Sequence, residues 1–191
     1  MNREVHVLVL REAGGATPPA DSPGSRRIGD IGGGRGHLLR AVLESVPDAA
    51  GVLFDLPQVV AREAAMASDR VSVQPGDFFQ DELPVCDTYL MMNVIHDWAD
   101  AEAVKILRAV RKSAPMDARL LLIESILPET TGAHPVRNDP ILNLDVAMLA
   151  ITGGRERTLA EYQALLAAAG FRLDRAVETD TSIAILEGTP K

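Results

Sequence analysis

The sequence predicts an α/β fold: a mainly parallel sheet of seven strands, with an antiparallel C-terminal strand and helices on both faces. Three observations predict it. From residue 26 onward, short apolar runs alternate with helical stretches, the pattern of successive βαβ units. The segment Asp30-Ile31-Gly32-Gly33-Gly34-Arg35-Gly36 joins the first of those runs to a helix, as in open sheets that hold a cofactor at the carboxyl end of the first strand. Finally, the runs Phe171–Val177 and Ser182–Leu186 are separated only by Glu178–Thr181. That is too short for a crossover, so the two pair antiparallel.

The elements follow in order. Val5–Leu10 has strand composition, and Ala13–Ser25 is rich in Gly, Pro, Ala and Ser. Residues 1–25 therefore read as an arm or linker, and 26–191 as one domain. A short strand over Arg27–Ile31 leads through the glycines into a helix ending near Ser45, although Gly29 is an unusual residue for a strand interior. Gly51–Asp55 is a second strand, and Leu56–Ala67 a helix started by Pro57. Val71–Gln74 is a third strand, and Thr88–Asn93, apolar along most of its length, a central fourth. Asp100 is placed to cap a helix carrying Val104, Leu107 and Val110 on one face. Leu120–Ile126 is the fifth strand. Thr158 and Glu161 have capping-box spacing, Tyr162, Leu165, Leu166 and Ala169 form the apolar stripe behind them, and Gly170 stops that helix.

Composition narrows the function classes. A chain of 191 residues with 47% hydrophobic and 24% charged residues suits one soluble domain with a sizeable core. Its net charge of −8 disfavours a nucleic-acid partner. No run approaches the roughly 18 apolar residues of a membrane helix, and Val5–Leu10 is too short for a signal-peptide core. The single cysteine, Cys86, forbids an intramolecular disulfide and fits a reducing compartment. A cytoplasmic protein without membrane or nucleic-acid partners is expected.

Chemistry concentrates at the carboxyl ends of the predicted strands. Glycines let a backbone take positive φ and let a ligand approach without an intervening Cβ, so the turn over Gly32 and Gly34 suits a nucleotide-like cofactor; a tight turn without a ligand is the other reading. Asp55 ends the second strand about 20 residues later, where a carboxylate can take both ribose hydroxyls or cap the next helix. To this point a nicotinamide enzyme and a methyltransferase are equally good readings. Gly76-Asp77-Phe78-Phe79 follows the third strand. There Asp77 is placed to accept from an adenine amino group and Phe78 to cover the ring, unless the pair is an ordinary loop beside core aromatics. Asn93-Val94-Ile95-His96-Asp97-Trp98 closes the fourth strand. A histidine in that loop is a candidate base, against a merely structural imidazole.

Five motifs in order complete a pattern: Asp30–Gly36, Phe54-Asp55-Leu56-Pro57, Gly76–Phe79, His96-Asp97-Trp98 and Gly153-Gly154-Arg155-Glu156-Arg157-Thr158. From about Ile28 to Glu187 the chain resembles the small-molecule O-methyltransferases of plant caffeate and flavonoid metabolism and of actinobacterial polyketide tailoring. The resemblance implies a Rossmann-like class I methyltransferase fold that uses S-adenosylmethionine. It places Asp30, Gly32, Gly34 and Asp55 around the methionine and ribose parts and Asp77 and Phe78 around adenine, with Leu56 and Asn93 as further cofactor-binding residues. It makes His96 the general base, flanked by Glu124 and Glu156, and puts Trp98, Asp145 and Met148 in the pocket of a small aromatic hydroxylated acceptor. No metal is implied. An imidazole with pKa about 6.5 is suited to take the proton of a phenol with pKa near 10 as its oxygen attacks.

Two departures from the family bear on these expectations. The family's homodimer is built by an N-terminal helical domain, where this chain has a 25-residue arm; that reads as a fragment, a truncated product or a stripped-down relative, and leaves the dimer in doubt. Met92 stands where the family often has a basic residue. Two competing readings remain open: a domain that binds S-adenosylmethionine without turnover, and a nicotinamide oxidoreductase, which leaves His96-Asp97-Trp98 without a purpose.

Overall fold

The computed structural model describes residues 26–63, 67–128, 153–179 and 183–191. Within them, β1 (Arg26–Ile31), β2 (Ala49–Asp55), β3 (Val71–Pro75), β4 (Thr88–Met92), β5 (Arg119–Leu127), β7 (Phe171–Glu178) and β8 (Ile183–Pro190) form one sheet in the order β3-β2-β1-β4-β5-β8-β7. β1 pairs in parallel with β2 and β4, and β4 with β5. β8 lies between β5 and β7, antiparallel to both. The expected seven strands and the lone antiparallel one are therefore present. Sequence periodicity had no purchase on β6 (Arg157–Thr158), two residues running parallel to Ile126 and Leu127 of β5.

Strand alternation sorts the core into two layers, one on each face of the sheet. Tyr89, Met91, Leu120, Leu122 and Leu186 pack with Ile106, Leu107 and Val110 of α3 (Asp100–Ser113) and with Tyr162, Leu165 and Leu166 of α4 (Leu159–Ala168). Their neighbours Leu90, Leu121, Ile123 and Ile185 pack with Leu38, Leu39, Val42 and Leu43 of α1 (His37–Ser45). Thr158 begins α4 with a reciprocal capping box to Glu161, and Gly170 ends it at φ +87°, as the spacing predicts.

Three local expectations need correction. The helix predicted over 56–67 is α2 (Pro57–Val60), four residues long. Only Val60 of it is buried while Leu56 and Val59 are exposed, so among the described residues no apolar stripe anchors further turns. Asp100 does not cap α3: it lies inside the first turn, after an Ala99 N-cap without side-chain capping, and its carboxylate is taken by the Arg157 guanidinium. Asp55 does not cap α2, whose N-cap is Leu56. Gly29 has a packing reason, since a Cβ there would lie 2.9 Å from Cys86 Sγ. Val5–Leu10, the arm, Asp145 and Met148 lie outside the described residues. Among the described residues no helix is long and apolar enough to cross a membrane.

Candidate active site

The carboxyl ends of β1, β2, β3, β4 and β5 meet along one edge. Gly32 and Gly33 N–H groups reach the Phe54 carbonyl of β2, Gly76 N–H the Asp55 carbonyl, and Asn93 N–H the Ile123 carbonyl of β5. The glycine turn also touches the fourth-strand loop, because a Cβ on Gly32 would lie 2.8 Å from Val94 Cγ2. The predicted residues His96, Gly32 and Asp55 thus share that edge.

In the turn, Gly32, Gly34 and Gly36 have φ +70°, +57° and +66°, a region costly for any side chain with a Cβ. A Cβ built on Gly34 would meet none of the described residues within 4 Å, so the backbone there faces open space among them. Gly34 N–H donates to Asp55 Oδ2 at 2.8 Å, and Leu56 N–H to Asp55 Oδ1 at 2.7 Å. Beneath the turn lies Asp30, 1% exposed, with Oδ2 unpartnered. Burial pushes its pKa up to about 7, against the opposing pull of the Leu39 N–H at the start of α1 and with a smaller upward push from Asp55. A positively charged ligand over the turn would relieve that cost; a phosphate would deepen it.

Asp77 closes its own turn, Oδ1 accepting from Phe79 N–H at 2.9 Å and Oδ2 from Gln80 Nε2 at 3.3 Å. Phe78, Phe79 and Trp98 form a cluster of mutually edge-on rings with centroids 4.8–5.8 Å apart. Loops after β3 and β4 are thereby joined by aromatic contact, worth about 0.5–1.5 kcal/mol per pair beyond area. Asn93 has φ +53° and, among the described residues, is the one non-glycine with positive φ. Such backbone strain recurs where a functional loop is held in a fixed shape.

His96 sits in a short 3₁₀ turn, Ile95–Asp97. Its Nδ1 is 2.9 Å from Glu156 Oε1 and 3.9 Å from Glu124 Oε2, and its Nε2 is 3.7 Å from Asp97 Oδ1. Either glutamate was open as the ring's partner from sequence; the geometry brings Glu156 into hydrogen bonding. Glu124 instead accepts the Val94 and Ile95 N–H groups on Oε1, at 3.1 and 2.8 Å. Burial, the largest influence, pulls the His96 pKa down. The Glu156 hydrogen bond and the charges of Glu124, Glu156 and Asp97 outweigh it and raise the pKa above 6.5. Burial likewise pushes Glu124 up to about 7, countered by His96 and the two N–H groups.

In the Gly153–Thr158 motif, Gly154 and Arg157 are among the residues that had no assigned part. Gly154 packs so tightly that a Cβ would lie 2.0 Å from the His96 carbonyl oxygen. Arg157 is a fully buried cation whose guanidinium reaches the carbonyls of Ile95 and Trp98 on either side of His96. The signal in the sequence was an arginine beside Glu156 opening an apolar helix; its target lies about 60 residues upstream, where no local pattern points.

Residues 20–172 match the family described as O-methyltransferase domain. The mitomycin biosynthesis 6-O-methyltransferase of Streptomyces lavendulae is 37% identical over 181 residues, 92% of this chain and 50% of that protein. An 8-amino-8-demethylriboflavin N,N-dimethyltransferase of Streptomyces davaonensis is 44% identical over 154 residues, 76% of this chain and 42% of that protein. Among solved structures, the calicheamicin-biosynthesis methyltransferase CalO1, with SAH bound, superposes with TM-score 0.80 at 36% identity, covering 97% of this chain and 53% of that one. The chain spans about half the length of these relatives.

Proposed function

Since the chain belongs to the S-adenosylmethionine-dependent O-methyltransferases, we propose that it methylates a hydroxyl of a small aromatic acceptor, with His96 as general base. The observation that carries this reading is the buried His96–Glu156 pair, 2.9 Å apart, on the sheet edge that also bears the glycine turn. A carboxylate offers only lone pairs, so with Glu156 ionised Nδ1 carries the hydrogen and Nε2 keeps the lone pair that receives a proton. Glu156 then stabilises the imidazolium as it forms. Glu124 holds the turn through Val94 and Ile95.

The residues at the turn fit the family's cofactor. Gly34 faces space, Asp55 is poised for hydroxyl donors, and Asp30 is a buried acid that a cationic ligand would favour in its ionised form. Bound S-adenosylmethionine supplies a methyl group activated by its sulfonium. What remains for the protein is to orient the acceptor and take its proton. Leu56 and Asn93 are further cofactor candidates, Asp77 and Phe78 the adenine candidates, and Trp98 with Asp145 and Met148 the acceptor candidates.

The test is calorimetric titration with S-adenosylmethionine followed by turnover on a panel of phenols, for the wild type and His96→Gln. The expected outcome is near-normal cofactor affinity with turnover reduced roughly 10²–10⁴-fold; near-normal turnover in the variant overturns the base assignment. Because the chain spans half of its relatives, a second reading is a domain that binds the cofactor without turnover, and binding with no methylation of any acceptor would favour it. A nitrogen acceptor belongs on the panel, given the relative named as an N,N-dimethyltransferase.

A further inference from the structure

Arg157 makes five hydrogen bonds around the turn that carries His96. Its Nη1 donates to the carbonyls of Ile95 at 3.1 Å and Arg155 at 3.2 Å. Its Nη2 donates to the Trp98 carbonyl at 2.7 Å and to Asp100 Oδ1 at 2.9 Å, and Nε to the same Asp100 oxygen at 3.0 Å. Ile95 and Trp98 bracket His96 and Asp97, so one planar fork grips both ends of a turn only three residues long. A buried cation is tolerated when its donors are satisfied and a counter-charge is present, and Asp100 provides that charge from the first turn of α3. From the other side, Arg155 N–H donates to the His96 carbonyl at 2.9 Å, and Gly154 lies flush against it.

The segment that supplies this grip also supplies Glu156, one residue away. The path from Glu156 through Arg157 to Ile95 and Trp98, and back through His96 to Glu156, is a closed ring. The guanidinium is the side-chain tie of that ring, beside the backbone bond from Arg155 N–H to the His96 carbonyl. We propose that Arg157, neutralised by Asp100, is a positioning residue that locks the His96 turn onto the Glu156 segment and so sets the contact between imidazole and carboxylate. The consequence for the reaction rests on His96 being the base; the clamp itself is a property of the fold and is read independently.

Among the described residues, the charged and titratable groups facing the ring are Glu156 from the segment before β6, Glu124 from β5 and Asp97 from its own turn. The Tyr162 hydroxyl of α4, with Arg157, faces the two glutamates in turn. Loss of the Glu156 contact removes an influence that raises the His96 pKa, and the value falls.

The experiment is an NMR titration of the His96 imidazole, identified among the four histidines by its disappearance in His96→Gln. It is run on the wild type, Arg157→Lys, Glu156→Gln and the double variant, with thermal melts alongside. Lysine keeps the charge but lacks the rigid fork. In Arg157→Lys the His96 titration is expected to move down by about half a pH unit or more, and much less when Glu156 is already glutamine. An unchanged titration in a variant that is merely less stable overturns the proposal and makes Arg157 a core filler. If Arg157→Lys does not fold, Asp100→Ala, at a side chain 56% exposed, is compared with and without Glu156→Gln: a downward shift that shrinks when Glu156 is glutamine supports the clamp, and an absent shift or one of equal size in both backgrounds overturns it. Retained turnover in His96→Gln would remove the base reading while leaving this titration as informative as before.

Discussion

His96 is held between opposing influences, burial favouring the neutral ring and three carboxylates favouring the charged one, and the carboxylates prevail. At neutral pH the imidazole is therefore more protonated than a free one, and on the proposed assignment of His96 as base it must be neutral to act. The expected rate profile rises with pH through a pKa above 6.5, because each step up in pH enlarges the neutral fraction. Glu156→Gln removes the strongest of the raising influences. In that variant the acid limb should move to lower pH while the plateau drops roughly 10²-fold, since the ring loses its tautomer lock and its counter-charge. Rates measured from pH 5 to 9 on one acceptor check this, and an acid limb left at the wild-type position would detach Glu156 from the base. The residue types and their sheet edge were legible in the sequence. The division of labour between Glu124 and Glu156 was not, because nothing in the sequence between them signals which oxygen meets an N–H and which an imidazole.

At the level of elements, the segment from Gly153 to Thr158 does several tasks in six residues. Gly154 leaves room for the His96 carbonyl, Glu156 meets the ring, Arg157 grips the turn, and Thr158 starts α4. Gly154→Ala puts a methyl 2.0 Å from a backbone oxygen that cannot rotate away. It should cost roughly 1–3 kcal/mol in denaturant unfolding and lower turnover as well, because whatever shifts to accept the methyl belongs to the His96 turn; a variant with wild-type stability and rate would show that the contact relaxes freely. The larger elements were readable from sequence because their periodicity is physical: strands buried on both faces are apolar throughout, and α4 announces itself by Thr158, Glu161 and Gly170. The shortcomings lie where tertiary partners override local preference. Asp100 has cap chemistry but lies within reach of a guanidinium, and the stretch after Pro57 has helix formers but, among its described residues, only Val60 to bury. A two-residue strand such as β6 has no period to detect.

For the molecule as a whole, two buried acids tie stability to pH. Asp30, with its pKa pushed from 3.8 to about 7, and Glu124, from 4.5 to about 7, hold their protons more tightly when folded than when unfolded. The folded state then binds more protons between those limits, so their contribution is fully present below about pH 4 and is lost as pH rises toward 7. Asp30→Asn carries no such charge. The melting temperature of the wild type relative to that variant should therefore decline from pH 4.5 to 7.5, by an amount corresponding to a few kcal/mol at most; parallel curves across that range would mean that Asp30 ionises freely in the fold. The sheet order has a different consequence. His96 and Glu156 are 60 residues apart and Arg157 and Asp100 57 apart, and both contacts bring the segment beside β5 onto the loop leaving β4. Closing such long loops costs entropy before any contact repays it. The Gly34–Asp55 contact of the glycine turn closes over 21 positions and the His96–Glu156 contact over 60, so the loop that gives the imidazole its carboxylate is the entropically dearer of the two.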